Sequence, residues 1–464
     1  MNKINKIFNP GLKLSAALFG LLVGAHAAAT DLMEVWRAAG QHDLDYNAAI
    51  AGHQAGASKE EQGNALWRPA VQLTGTVGKM SSDTATQGAQ FSAQPLFPAT
   101  NGVSFNTSVN HGNLERWALS ARQPLISGER SASSRQLHLA VDASELEWQV
   151  ARQSLILCSA ERYFDVVMAQ ESLAVLRRQQ QSIEQSLGEI TARFKSGEVP
   201  VTDTHEATAR MKEVQAQVLA AESALQLKQA ALTDATGLAP QKLLRPTGAI
   251  SAPGKNIDEW LSASAQNNPE LRIKQTQLDL AREEAKRYAA LASPSLDLVG
   301  EVSHEHLSGS GDFGAASNTG RNALLGIQLT IPVYTGGYRS ARQGESAALA
   351  EKARNEYERT RQQIVWQTRS AWLGLTTGNS RIDALAASLK ATEARLAATR
   401  LGHKVGDRTT LDVLNAENDA ANARLSWMQA RIGLVMDHLR LAALAGKLEV
   451  EQLQMINGTL QAEY

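Results

Sequence analysis

Two stretches of this chain repeat each other at a fixed offset, and that repeat limits the possible folds more than any other feature. Arg193-Phe194-Lys195-Ser196-Gly197-Glu198-Val199-Pro200-Val201-Thr202-Asp203 resembles Gly402-His403-Lys404-Val405-Gly406-Asp407-Arg408-Thr409-Thr410-Leu411-Asp412. Gly197 and Gly406 are 209 residues apart, as are Asp203 and Asp412. Gln123-Pro124-Leu125-Ile126-Ser127-Gly128 matches Ile331-Pro332-Val333-Tyr334-Thr335-Gly336-Gly337, with the prolines 208 apart. Two independent landmarks at nearly one offset indicate a duplication.

The parts follow one order in both halves. Asp31 to Trp67 reads as helix, stopped by Arg68-Pro69. Ala70 to Gly78 then alternates apolar and polar residues, the period of a half-covered strand. A polar loop is expected from Ser81 to Asn113, and a second strand from Glu115 to Leu125. In the second half Ile257 to Ala292 reads as helix, broken at Ser293-Pro294. Leu296, Leu298 and Val302 open a strand, His304 to Arg321 reads as loop, and Ala323, Leu325, Ile327, Leu329 and Ile331 line one side of the next strand. The predicted organisation is a first repeat over 30–250 with a hairpin at 70–125, a second over 251–450 with a hairpin at 295–333, and a tail over 451–464.

Each predicted strand is about nine to eleven residues, the length that crosses a membrane when tilted. A soluble sandwich would alternate identically, but two hairpins with long polar loops favour the membrane. Four strands cannot close a barrel and an open edge cannot sit in lipid, so several chains must share one barrel. The rest is helix of unusual length, predicted at 129–195 and 339–401 with returning helices at 203–236 and 412–445. Apolar residues such as Leu146, Leu157, Leu173, Ile183 and Ile190 recur at heptad-like spacing. Some 65 residues at 1.5 Å each span roughly 100 Å, which implies coiled-coil packing. The fold class expected is mainly α with membrane β.

Segment 1–29 reads as an export signal: Lys3, Lys6 and Lys13, an apolar run from Leu14 to Val23, and Ala25-His26-Ala27 as the cleavage signal. No later run is apolar for the roughly 20 residues of a spanning helix. Formal net charge is −1, which leaves no basic excess for nucleic acid. Cys158 is the sole cysteine, so no internal disulfide forms. Its place in Ser154-Leu155-Ile156-Leu157 predicts a buried, inert thiol.

With its duplicated turns, above all Val405-Gly406-Asp407-Arg408-Thr409-Thr410-Leu411-Asp412-Val413-Leu414-Asn415-Ala416, the chain resembles the TolC family of outer-membrane factors across its mature length. Pro124, Pro332 and Tyr334-Thr335-Gly336-Gly337 at the strand-to-helix corners fit the same family. The resemblance implies a homotrimer whose chains share a 12-stranded barrel and a periplasmic helical tube, with no cofactor or metal. It further implies docking to a periplasmic adaptor and an inner-membrane pump, ABC or proton-driven, and contact with outer-membrane lipid. It makes the helical turns the periplasmic entrance. By position Asp412 is the first acidic gate residue, Asn415 stands where a second acid is expected, and Arg408 matches a base that holds the entrance shut. His403 replaces an aromatic partner, and Asp203 is the first-half equivalent of Asp412. The local alternative is capping: Asp203 with Glu206 spells a capping box, and Asp412 suits an N-cap.

Two motifs suggest other chemistry. Gly309-Ser310-Gly311-Asp312-Phe313-Gly314 spells a dinucleotide fingerprint, but no helix is expected to begin there. His304-Glu305-His306 offers two histidines with no third ligand. A channel, not an enzyme, is the expectation. The alternative is a periplasmic adaptor, which would carry one helical hairpin rather than two.

Overall fold

A computed structural model describes residues 30–461 apart from 94, 96, 240–241, 248–253, 255 and 313; the expected signal peptide lies outside the described residues. The first half runs α1 (Leu32–His42), α2 (Leu44–Ala65), β1 (Ala70–Ala93), β2 (Phe97–Ile126), α3 (Gly128–Lys195) and α4 (Val201–Thr236). Short β3 (Arg245–Pro246) leads to α5 (Ile257–Asn267), α6 (Pro269–Ala290), β4 (Ser295–Gly311), β5 (Gly314–Thr330), α7 (Tyr338–Lys404) and α8 (Thr410–Leu444). Then α9 (Val450–Asn457) is followed by β6 (Leu460–Gln461), which pairs with β3.

Each predicted lone helix ahead of a hairpin is two. Asp43, with an extended ψ of 119°, ends α1, and its carboxylate accepts from the Tyr46 amide to start α2. Asn268 does the same before Pro269, accepting from the Leu271 amide. A carboxylate or amide oxygen that captures the orphan N–H groups of a new helix outcompetes continuation of the old one.

The hairpins differ more from expectation. β1 and β2 are 24 and 30 residues, and β4 and β5 are 17 each, so most of 81–113 and 304–321 is strand, not loop. Serine, threonine and asparagine read as loop formers, yet cross-strand pairing holds them extended. The hairpins also join through β2 and β4 into one antiparallel sheet ordered β1-β2-β4-β5. In register, Leu73 faces Leu119, Leu119 faces Val302, and Val302 faces Ala323. These lie on one side with Val71, Leu325 and Ile327, and that side is bare, Leu325 being 79% exposed. The other side carries Arg116, 4.0 Å from both Glu301 and Glu305, and Arg122, 3.7 Å from Asp297. A contiguous exposed apolar face opposite a charged one is the alternation of a strand between lipid and water.

The helices form a wall below the sheet. α3 (68 residues) and α7 (67 residues) run its whole length. α6 near the sheet and α8 farther away fill the space between them, while α2 and α4 flank α3 in the same order. The shorter helices abut end to end. A Cβ on Gly237, just past α4, would lie 2.8 Å from His42 Nε2, and one on Gly446, past α8, would lie 2.3 Å from the Asn267 carbonyl oxygen. Stacked in this way, α2 (22 residues) and α4 (36) cover most of the length of α3, as α6 (22) and α8 (35) cover most of α7.

The densest core gathers where these ends meet. Leu32, Val35, Ile156, Phe164, Leu439 and Leu453 are buried together. Tyr163 is fully buried there; its hydroxyl accepts from the Leu244 amide at 2.8 Å and lies 3.0 Å from the Leu244 carbonyl. Burial raises its pKa, keeping it a neutral donor. Glu171, 0% exposed, lies 2.7 Å from Arg424 Nε of α8 and 2.7 Å from Arg245 Nη1 of β3. That carboxylate ties α3 to both the connector and the second half. Replacing Glu171→Ala removes both of these buried charge-assisted links and is expected to cost about 3 kcal/mol. The check is the thermal midpoint of the helical circular-dichroism signal in detergent, which should fall; an unchanged midpoint would show that the hub is not a stabilising element.

Candidate functional site

The repeated motifs fold into two turns with the same hydrogen bonds. After α3 the Glu198 amide donates to the Arg193 carbonyl (2.9 Å) and the Gly197 amide to Phe194 (3.0 Å); after α7 the Asp407 amide donates to Gly402 (2.9 Å) and the Gly406 amide to His403 (3.1 Å). Both are Schellman endings, which need a left-handed residue. Gly197 (φ 82°) and Gly406 (φ 83°) supply it, so these two glycines are fixed by the turn itself.

The helices that follow begin two residues earlier than expected, so the acids do not cap. Thr409 is the N-cap of α8, and Asp412 is the third helical residue of a true capping box: its carboxylate accepts from the Thr409 amide and lies 2.9 Å from the Thr409 hydroxyl. Those bonds, and then the nearby Arg408 charge, lower the Asp412 pKa. Asp203 and Glu206 form no such box. Pro200, which has no side-chain acceptor, takes the cap position of α4, and Asp203 is third in that helix too.

Arg408 folds back over the helix end, close enough that a Cβ on Gly402 would lie 2.8 Å from its Cγ. Its guanidinium makes no ion pair among the described residues. His403 Nε2 lies 3.3 Å from the Thr410 hydroxyl, across the turn. Asn415 is exposed one turn beyond Asp412. Arg408, Asp412 and Asn415 thus share the end of the α7–α8 hairpin, with Asp203 at the end of the α3–α4 hairpin.

A neighbouring cluster escaped the sequence reading. Arg400 of α7 donates to Ser182 of α3 (2.8 Å) and to Glu417 of α8 (2.9 Å), and Ser182 donates to Glu417. It joins three helices from both halves just behind the turns. An arginine and a glutamate on two different helices carry no periodic signal, and Ser182 comes from the other half of the chain.

At the other end, Pro124 stands two residues before the end of β2, and Pro332 two residues after the end of β5. Gly336 (φ 62°) and Gly337 (φ 86°) turn the chain into α7, with Gly337 at the cap position. The remaining motifs have structural explanations. Gly309 and Gly311 lie in β4 with no helix after them. His304 packs against Trp117 with ring centroids 6.0 Å apart, and His306 Nδ1 lies 2.9 Å from the Thr319 hydroxyl. No metal-binding group of side chains occurs among the described residues. Cys158 is exposed rather than buried, because Leu155, Ile156, Ser159 and Ala160 take the inward positions of α3. Packing around its base still raises the thiol pKa, so it is not activated.

The family described as outer membrane efflux protein matches residues 36–238 and again 260–447, one match per half. The chain belongs to that family. It is 25% identical over 450 residues to the proteases secretion protein PrtF of Dickeya chrysanthemi, covering 95% of this chain and 93% of the relative. It is 25% identical over 463 residues to the outer membrane protein TolC of Escherichia coli (strain K12), covering 97% and 89%. The fold is that of the Campylobacter jejuni CmeC outer membrane channel, with a TM-score of 0.71, 16% identity and 98% of each chain covered. This efflux-family protein is therefore an outer-membrane exit channel for secretion or efflux, with a long periplasmic extension; nothing found supports the adaptor reading. Within this family member, the Thr409–Asp412 box anchors the first turn of α8. Thr409→Ala is expected to cost about 1 kcal/mol of helix-end stability, seen as faster amide exchange over residues 410–414 with the middle of α8 unchanged. Equal exchange in both proteins would remove the box from the account.

Proposed function

We propose that three copies assemble into one conduit and that the turn residues gate its periplasmic end. The observation that carries this is the pair of free sheet edges. β1 and β5 are unpaired on their outer sides, and a four-stranded sheet with a lipid-facing side cannot leave its edges in a bilayer. Three chains give twelve strands, an even number that closes. Unpartnered helix surface points the same way: Trp366 (69% exposed), Leu349 and Leu401 on α7, and Leu219 and Leu227 on α4, are bare on the two flanks.

In this reading the α7–α8 turns of three chains converge on the axis. Asp412 lines the entrance with three carboxylates, where a family pattern with an acid at Asn415 would give six. Arg408, free of an ion pair among the described residues of its own chain, reaches a neighbouring subunit and holds the turns together, with His403 beside it. Docking of a periplasmic adaptor and an inner-membrane pump moves the α7–α8 hairpin outward, a shift between two packings. Cargo then crosses passively. Names of relatives such as PrtF and the alkaline protease secretion protein AprF of Pseudomonas aeruginosa favour protein cargo and a type I secretion system.

Arg408→Ser is expected to raise single-channel conductance in planar bilayers severalfold, whereas unchanged conductance rejects the latch. Asp412→Asn is expected to reduce cation preference, read as the reversal potential in a salt gradient. Because the Asp412 pKa is lowered, its charge is present above the usual carboxylate value near 4 and is lost only as pH falls through the lower folded value. Wild-type cation preference should therefore hold from pH 7 to about 4; its loss by pH 6 would assign it to another group. Cargo class is tested by comparing the secreted proteome of a deletion strain with its parent. Loss of one or a few large proteins supports secretion; an unchanged proteome with new drug sensitivity supports efflux.

A further inference from the structure

The apolar alternation ends far short of the ends of the first hairpin. β4 and β5 stop at Gly311 and Gly314, and β2 is paired with β4 only from Asn110 onward. From Phe97 to Val109, β2 has no strand partner but β1 among the described residues. Above the sheet there stands a two-stranded ribbon, built from the ends of β1 and β2, with both outer edges unpaired. About 12 residues at roughly 3.3 Å each carry it some 40 Å beyond the shorter hairpin.

An isolated two-stranded ribbon is marginally stable, and exposed edges are normally guarded by charge or proline. Here Ser82–Gln90 and Thr100–Val109 contain one charged residue, Asp83, and no proline. The edges are therefore suited to pairing with something.

The base of the ribbon is irregular, so the ribbon need not continue the line of the sheet. It leaves the sheet through a bulge, where His111 and Gly112 oppose Gly309 between the pairs Asn110–Ser310 and Asn113–Ser308. His111 is left-handed (φ 54°), and its amide donates to the Ser81 hydroxyl at 3.2 Å. A Cβ on Gly309 would lie 2.7 Å from the Gly112 Cα, and one on Gly112 would lie 2.7 Å from Leu307 Cδ1. Gly112 and Gly309 alternate with Arg116 and Glu305 on the charged side of the sheet, so the bulge, which bends the strand that carries it, leaves room on that side. The close backbone approach is what the Gly309 position serves.

We propose that the ribbons of three chains converge over the pore and pair edge to edge, β1 of one with β2 of the next, into a six-stranded neck that closes the outer mouth. This rests on the trimer proposed above. Barrel diameter grows roughly in proportion to strand number, and about eight strands already leave room only for side chains. Six strands enclose about half the width of twelve, and side chains fill them. The inward lean required is a few ångströms over a ribbon of roughly 40 Å. Each free edge gains a partner, and one Asp83 per chain is little charge to bring together. The neck is thus an outer constriction, separate from the periplasmic entrance, that must part for cargo.

The test uses full-length protein in a Cys158→Ser background. Thr84→Cys is combined with Ser104→Cys in one variant and with Asn106→Cys in another. Within a chain Thr84 faces Thr107 and Asn106 faces Ala85, so a link within one ribbon leaves a denatured chain at monomer mass and only interchain links give covalent trimers. Intact cells are treated with a bis-maleimide of about 8 Å span, which tolerates a two-residue shift in register, and native mass spectrometry of untreated protein reports assembly independently. Covalent trimers from at least one pair, absent from each single-cysteine control, are the expected result. Trimers by mass without any interchain link overturn the neck and leave the assembly standing. Adducts with a different protein also overturn it, assigning the edges to an extracellular partner. Absence of trimers by mass overturns the assembly itself, and the neck with it.

Discussion

Backbone hydrogen bonding in a medium without water governs this protein. Every N–H and C=O at membrane depth must find a protein partner, and one chain supplies only four strands, two of them with an open side. In the trimer proposed above, closure falls to other copies. Helices that continue from shared strands then inherit the spacing and tilt of the barrel, so in that assembly they too form a closed wall. That is why α3 and α7 run unbroken for 68 and 67 residues, and why shorter helices are stacked rather than left as gaps.

Length by itself would make such a wall floppy, and buried polar links answer that at two levels. Near the stacked ends, Glu171 gathers arginines from α8 and the connector. Behind the turns, Arg400, Ser182 and Glu417 bind three helices of both halves. Charged groups in a packed seam are costly to separate, so they specify one register along surfaces where leucine and alanine could slide. Beyond the second link, the turns are held by backbone bonds, an Arg193–Glu198 pair and the Thr409–Asp412 capping box, while the Arg408 guanidinium makes no ion pair among the described residues. A rigid shaft with a short, separable end is what the proposed gate requires.

The duplication places the two ends of this device under different rules. The turn glycines and Schellman bonds are the same in both halves. The caps differ: Thr409 in the second half binds an acid at the third position, whereas Pro200 in the first offers no acceptor. The hairpins differ more, since both strands of the first are longer than either strand of the second. Divergence has gone into the termini of the tube, while the shaft kept its repeat.

The amino-acid sequence by itself determined whatever is periodic or local. A constant offset between motifs, long runs without proline, alternation at Ala323 to Ile331 broken only at Leu324, and glycine at each turn give the two halves, the long helices, the lipid-facing strands and the tight corners. Asp412 and Asp203 were legible as equivalent positions of the repeat, whereas Arg408, which falls on Val199 at the same offset, was named only through the resemblance to the family. The tertiary structure decided what depends on partners distant in the chain. Ser- and Thr-rich stretches became strand because a neighbouring strand held them extended, and β2 met β4 although four long or short helices, α3 to α6, lie between them in the chain. Thr409 took the cap from Asp412 because the helix began where the preceding turn released the chain. Cys158 faced outward because its neighbours on α3 had the better claim on the core. Local pattern fixes what a segment can be; only the cost of unpaired backbone and buried charge, summed over contacts far apart in sequence, selects what it is.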